Sequence, residues 1–273
     1  MDEGSFNELQ IVPAARIGQC PAMSITLLIF IAVVFLLAGF VKGAIGMGLP
    51  TVSMGLLAVA MAPVHALSIV IVPAVLTNIW QTFVGPYLRD IVRRLWPLLL
   101  GLAVGIRLNA DMMTGPYARY GTVLIGVLLV IYAIVSLRQF VITVRPRDEK
   151  WIGGVIGLIT GVISAATGVQ VIPSMPFLQA LGMKKDELIQ ALGVFFTVAT
   201  LVQAFNLSVA GVLDESTALP GVIALAFSFT GMAIGQAVRT RLEPEAFRRW
   251  FLISMILLGI YLAGAATYEI YFT

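Results

Sequence analysis

Charge is scarce in this sequence: only 11% of its 273 residues are Asp, Glu, Lys or Arg, against about 25% in a water-soluble domain. With 59% hydrophobic residues and a mean hydropathy of +0.99, a soluble fold is excluded, because too little polar surface exists to cover it. Cysteine is nearly missing as well. The single Cys20 rules out an internal disulfide framework and a cysteine-based metal motif. Residues 1–20 are mildly acidic and lack the basic stretch that opens a signal peptide, and no apolar segment precedes Cys20 to make a lipoprotein signal. His65 is the lone histidine. It follows Pro63 and reads as a helix-start residue rather than a proton relay. No phosphate-binding Gly-x4-Gly-Lys-Ser/Thr motif is present. The apolar runs hold no His–Asp pair, Ser–Lys dyad or metal cluster, which disfavours an intramembrane enzyme. No cofactor, metal or nucleic-acid partner is implied.

What the sequence does contain is long, continuous apolar runs, and these require helices. In hydrocarbon every backbone amide needs an internal partner, which leaves helices or closed barrels, and barrel strands would alternate. The runs fall at 24–45, 49–61, 65–84, 95–106, 117–137, 151–167, 171–181, 188–207, 217–237 and 250–266. A bilayer span takes about 20 residues, so 49–61 and 171–181 are too short to cross. Each follows a longer run after a helix-breaking patch: Gly43 to Pro50 in one case, Gly168 to Pro173 in the other. That pattern predicts two broken helical hairpins that enter and leave from the same face.

The halves resemble each other. Gly39 to Gly46 lies over Gly161 to Gly168, and the same register sets Asn78 and Gln81 over Thr200 and Gln203. A small shift then matches Gly101 and Gly105 with Gly231 and Gly235. The predicted fold class is an all-α integral membrane protein of two inverted repeats, each a broken hairpin plus three transmembrane helices. Residues 1–22 form an extracytoplasmic segment, 23–137 the first repeat, 138–150 a basic cytoplasmic linker, 151–267 the second repeat, and 268–273 a tail. Inversion is tested by the tendency of Lys and Arg to stay on the cytoplasmic side. Thirteen of the 17 basic residues then share the cytoplasmic face: Arg89, Arg93, Arg94, Arg138, Arg145, Arg147, Lys150, Lys184, Lys185, Arg239, Arg241, Arg248 and Arg249. The loop around Asp214 and Glu215 holds neither Lys nor Arg. Both termini are expected outside, in a cell inner membrane. The rival topology, with 49–61 and 171–181 as true short spans, scatters the basic loops over both faces.

The motifs Gly39-x6-Gly46-x-Gly48-x-Pro50 and Gly161-x6-Gly168-x4-Pro173 resemble the TauE/SafE family of sulfite and organosulfonate exporters. The resemblance covers roughly residues 23–266. The second copy carries Val169 and Gln170 where the first has Met47 and Gly48. The resemblance implies a secondary transporter, an exporter, of small sulfur-containing or carboxylate anions.

The charge distribution agrees with an anionic cargo. All 14 acidic residues fall in loops or at run ends, so the buried carboxylates expected of a cation carrier are not there. A helix broken within the membrane presents free N–H groups and a positive dipole end, which hold anions in inverted-repeat transporters. The candidate substrate-binding residues are Lys42, Gly46, Gly48, Ser53, Asn78, Gln81, Thr167, Gly168, Gln170, Thr200 and Gln203. Two readings stand for several of them. Lys42 either offsets the anion's charge or ends a span and snorkels to the headgroups. The glycines either admit ligand or serve helix packing. Asn78/Gln81 and Thr200/Gln203, each pair sharing a helix face, either line a central site or bond between helices. The expected partners are a small anion, the lipid bilayer and a possible homodimeric copy. Carriage or channel conduction of sulfate or a carboxylate, and a non-transporting scaffold, are the alternatives.

Overall fold

The computed structural model describes residues 24–138, 143–213, 217–238 and 244–272. The expected N-terminal segment, Asp214, Glu215, Arg239 and Arg241 lie outside them. The described residues form ten α-helices and one 3-10 turn, with no strand among them. They are α1 (Ile25–Ile45), α2 (Leu49–Leu57), α3 (Pro63–Phe83), α4 (Leu88–Leu108), α5 (Gly121–Leu137), α6 (Glu149–Thr167), α7 (Ser174–Ala180), α8 (Lys185–Val209), α9 (Ala218–Val238) and α10 (Pro244–Phe272). Seven are long and apolar enough to cross a membrane: α1, α3, α5 with its preceding turn, α6, α8, α9 and α10. α4 has a span's length at 21 residues but carries Arg89, Asp90, Arg93 and Arg94 at its start.

Helix α1 shows how the bilayer acts as solvent. Its Ile25, Ile29, Val33 and Leu37 are all exposed, four residues apart, while Ile31, Phe35, Ala38 and Lys42 are buried. One stripe thus faces outward and the other inward, and an outward stripe this apolar suits lipid. Ser24 caps the helix, its hydroxyl accepting from the Leu27 amide.

Both predicted breaks are present, and both helices that follow are short. α1 ends at Gly46 and α2 starts after Gly48, each glycine in the left-handed region at φ 91° and 105°, which a Cβ would strain. α6 ends at Gly168, also left-handed. α2 has 9 residues and α7 has 7, so at 1.5 Å per residue neither crosses about 30 Å of hydrocarbon. The second short helix begins at Ser174, three residues later than its apolar run. Proline fits the delay, because Pro173 stands at the N-cap and has no N–H to donate to a helical turn running through it. Other bounds differ for a simpler reason. α4, α8 and α10 each extend through charged residues at which an apolar-run reading stops. Thus α10 continues to Phe272, through the residues expected as a tail.

Four pairs of helices dominate the packing. α1 lies on α9, α4 on α6, α3 on α8 and α5 on α10. If α6 matches α1 and α9 matches α4, the first two pairs exchange and the last two map onto themselves. The exchanged pairs use the same device. Any Cβ at Gly231 would run into the Leu36 carbonyl of α1, and one at Gly157 into the Leu98 carbonyl of α4. Backbones meet at small residues, as membrane helices without a hydrophobic driving force require.

Charged side chains tie the basic loops together at one end. Arg94 bonds Glu149 at 2.7 Å, approaches Glu187 at 4.0 Å, and donates to the Leu181 carbonyl at 3.0 Å. The starts of α4, α6 and α8 and the end of α7 therefore share one face of the molecule.

Candidate functional site

Lys42 sits in the last turn of α1, and its ammonium is turned into the protein rather than toward a headgroup layer. Only 5% of the residue is exposed. The helix places it there because it follows Phe35 and Ala38 on the inward stripe. Nζ donates to Thr77 Oγ1 at 2.9 Å and to Asn78 Oδ1 at 2.5 Å, both on α3. Among the described residues no carboxylate pairs with it. What offsets the charge is neutral oxygen together with the negative end of the α1 dipole. Pro73 lies one turn before these acceptors, inside α3, and Thr77 returns its own hydroxyl proton to the Pro73 carbonyl at 2.7 Å.

The ammonium also fixes the orientation of Asn78. An ammonium has donors and no acceptor, so the asparagine atom facing it must be Oδ1. The amide nitrogen Nδ2 then points elsewhere, and it is buried with no hydrogen-bond partner. A buried donor left unmade costs about 1–3 kcal/mol. The first half of the chain thus presents a cation without a carboxylate and an N–H donor without an acceptor side by side.

The second half of the chain carries a neutral set. Ser164, which the sequence register sets over Lys42, is fully buried. Gln203 of α8 donates from Nε2 to the Ser164 carbonyl at 2.8 Å and lies 3.0 Å from its hydroxyl. Gln170, in the second break, donates from Nε2 to Gln203 Oε1 at 2.8 Å. Its own Oε1 is buried and unpartnered.

The other expected site residues divide into two groups. Gln81 holds the first break in place, its amide donating to the Gly46 carbonyl at 3.3 Å and to the Ile189 carbonyl of α8 at 2.7 Å. Thr200 donates to Phe196 of its own helix at 2.7 Å, Thr167 to Ile163 at 2.7 Å, and Ser53 to Leu49. Thr167 also accepts from the Val169 amide at 3.2 Å. These hydroxyls have spent their protons on backbone. Gly48 caps α2 without any side-chain bond, and Pro50 follows it. Sequence reading missed Gln190, whose side chain clamps the end of α3. It accepts from the Tyr87 amide at 2.9 Å and donates to the Thr82 and Gly85 carbonyls at 2.8 and 2.7 Å. A long amide within an apolar stretch was the available signal.

The two breaks interlock. Gly168 lies against Met54 of α2 and Leu67 of α3. Met47 of the first break packs into the apolar cluster that holds Val169 and Val171 of the second. Two helix breaks, each with buried polar side chains beside it, in a bundle that has seven apolar span-length helices among the described residues, mark a multi-pass membrane protein. The match to a family model narrows the class: the model described as sulfite exporter TauE/SafE covers residues 31–262. The chain belongs to that family, whose members are membrane transporters of the sulfite and organosulfonate exporter type. Comparison with curated proteins and with solved structures gives no match.

Proposed function

We propose that this protein is a secondary transporter that exports a small anion, sulfite or an organosulfonate, through a site centred on Lys42 and Asn78. The single observation that carries the reading is the buried ammonium without a carboxylate, next to a buried amide donor without an acceptor. Isolated buried charge is expensive and marks function in membrane interiors. An anion removes both costs at once, whereas a cation would add to the first. Gly46 and Gly48, lacking side chains, leave room beside the start of α2, whose positive end adds to the attraction.

The transport cycle in this reading alternates access between two inverted halves in a cell inner membrane, with both termini extracytoplasmic. The exchanged packing of α1 on α9 and of α6 on α4 supports the two-fold relation. The Arg94–Glu149–Glu187 cluster supports a shared cytoplasmic face for the basic loops. Gln81, Gln203, Thr167, Gly168, Gln170, Thr200 and Ser53 complete the surround of the site.

Proteoliposomes loaded with sulfite test the proposal, with an external sulfite-reactive dye as readout. Efflux above that of empty liposomes, lost in Lys42→Met, is the expected result. A folded wild type that releases no sulfite or organosulfonate, or efflux that persists in Lys42→Met, contradicts it.

A further inference from the structure

Arg107 stands apart from the basic residues placed so far. At 1.5 Å per residue it follows Arg94 by about 20 Å along α4, so it lies at the end of that helix remote from the Arg94–Glu149–Glu187 cluster. It is exposed, and among the described residues no carboxylate pairs with it, Asp111 one turn onward included. Its guanidinium reaches across to α8 instead, with Cζ 5.6 Å from the centre of the Phe205 ring. Such stacking uses the face of the cation and leaves its edge N–H groups free. The stacked pair forms one end of an open groove of about 440 Å³, whose other walls are Ala103 and Val104 of α4 and Leu201 and Val202 of α8. These four precede Arg107 or Phe205 by three or four residues, which sets them on the same helix faces. Asn206 Nδ2 donates to the Ile106 carbonyl at 3.1 Å and pins the two helices together at this end.

A groove of this make suits lipid. Apart from Arg107 its walls are apolar, and Val104, Leu201 and Phe205 are exposed, on an outer surface where hydrocarbon is the solvent. Both helices end within about a turn of the cation, α4 at Leu108 and α8 at Val209, which sets Arg107 at headgroup level on the side away from the Arg94 cluster. An acyl chain fills the apolar length of the groove. The free edge of the guanidinium matches a phosphate, which arginine binds through two parallel N–H bonds. The geometry points to a site for one anionic glycerophospholipid, an acyl chain lying along the α4–α8 groove and its phosphate held by Arg107. Basic pockets between membrane helices select anionic headgroups, and a zwitterionic lipid is held less well because its own ammonium competes with Arg107 for the phosphate. The site makes no use of Lys42 or Asn78, so it stands or falls independently of the anion site proposed above.

The test is photocrosslinking of the purified full-length protein with phosphatidylglycerol that carries a diazirine in its acyl chain, the labelled residues being mapped by peptide mass spectrometry. Mapping separates this groove from the basic loops at the other end, which also attract anionic lipid. Label is expected on residues 103–107 and 201–205, above that on the lipid-facing stripe of α1. Unlabelled phosphatidylglycerol should displace it about fivefold more effectively than phosphatidylcholine with the same chains, the worth of one arginine at an anionic headgroup. In Arg107→Gln the two competitors become equal, whereas Arg107→Lys, which keeps the charge, retains a preference. Label in the groove no higher than on α1, equal competition in the wild type, or a preference that survives in Arg107→Gln each overturns the inference. Should Arg107→Gln fail to fold, the wild-type label and competition ratio decide alone.

Discussion

Replacing Lys42 with methionine keeps an unbranched side chain, one heavy atom shorter, and removes one charge and three donors. For ligand binding the sign is unambiguous. A hydrogen bond to a charged group contributes about 1.5–3 kcal/mol, so affinity for sulfite should fall about 10- to 150-fold. For stability two terms oppose each other. Removing a desolvated charge that no carboxylate balances relieves a penalty that is still several kcal/mol after relaxation. Against this, Asn78 Oδ1 loses its donor at a cost of about 1–3 kcal/mol, while Thr77 keeps its bond to the Pro73 carbonyl. The apo protein should therefore melt close to wild type or above it. The assay is the melting temperature of detergent-purified protein across a sulfite titration, since a ligand at a hundred times its dissociation constant adds about 2.7 kcal/mol. A variant that still shifts with sulfite at wild-type concentrations refutes the claim that the ammonium touches the cargo. A variant that does not fold shows Lys42 to be a strut between α1 and α3 instead.

Two further outcomes separate packing and scaffolding from binding. Gly231→Ala should destabilise by about 1–3 kcal/mol through overpacking against the Leu36 carbonyl, although alanine is the better helix former by about 1 kcal/mol; Gly264→Ala, with nothing near its Cβ, should be neutral or slightly stabilising in the same thermal melts. Gln190→Leu strips the end of α3 of three hydrogen bonds, and should lower stability by about 2 kcal/mol or more while leaving the sulfite dissociation constant unchanged in titration of the folded fraction.

How much of this was legible before the fold? The breaks were, because glycine and proline act locally and need no partner to end a helix. That Lys42, Asn78 and Gln203 are polar groups inside apolar runs was legible too. Their pairing was not. Lys42 and Asn78 are 36 positions apart on two helices, and apolar periodicity alone carries no information about which polar faces meet. Nor could it show that Ser53, Thr167 and Thr200 spend their protons on their own helices, since that depends on rotamers. The bounds of α4 and α8 were cut short because charges at helix starts look like loops when only apolarity is read. The most consequential gap was orientation: the open donor on Asn78 and the open acceptor on Gln170 exist only through their partners' chemistry.

The central claim is that an unpaired ammonium and an unpaired amide donor together hold an anion, and Asn78→Asp tests it most directly. The change is nearly isosteric, replaces the free N–H donor with oxygen, and gives Lys42 the carboxylate it lacks. The measurement is the sulfite-induced shift in melting temperature of wild type and variant, at equal ligand concentrations. The account predicts a clear shift in the wild type and none in Asn78→Asp, whose ligand-free melting temperature matches or exceeds that of the wild type because an ion pair replaces an isolated charge. A variant that melts like the wild type and still responds to sulfite contradicts it.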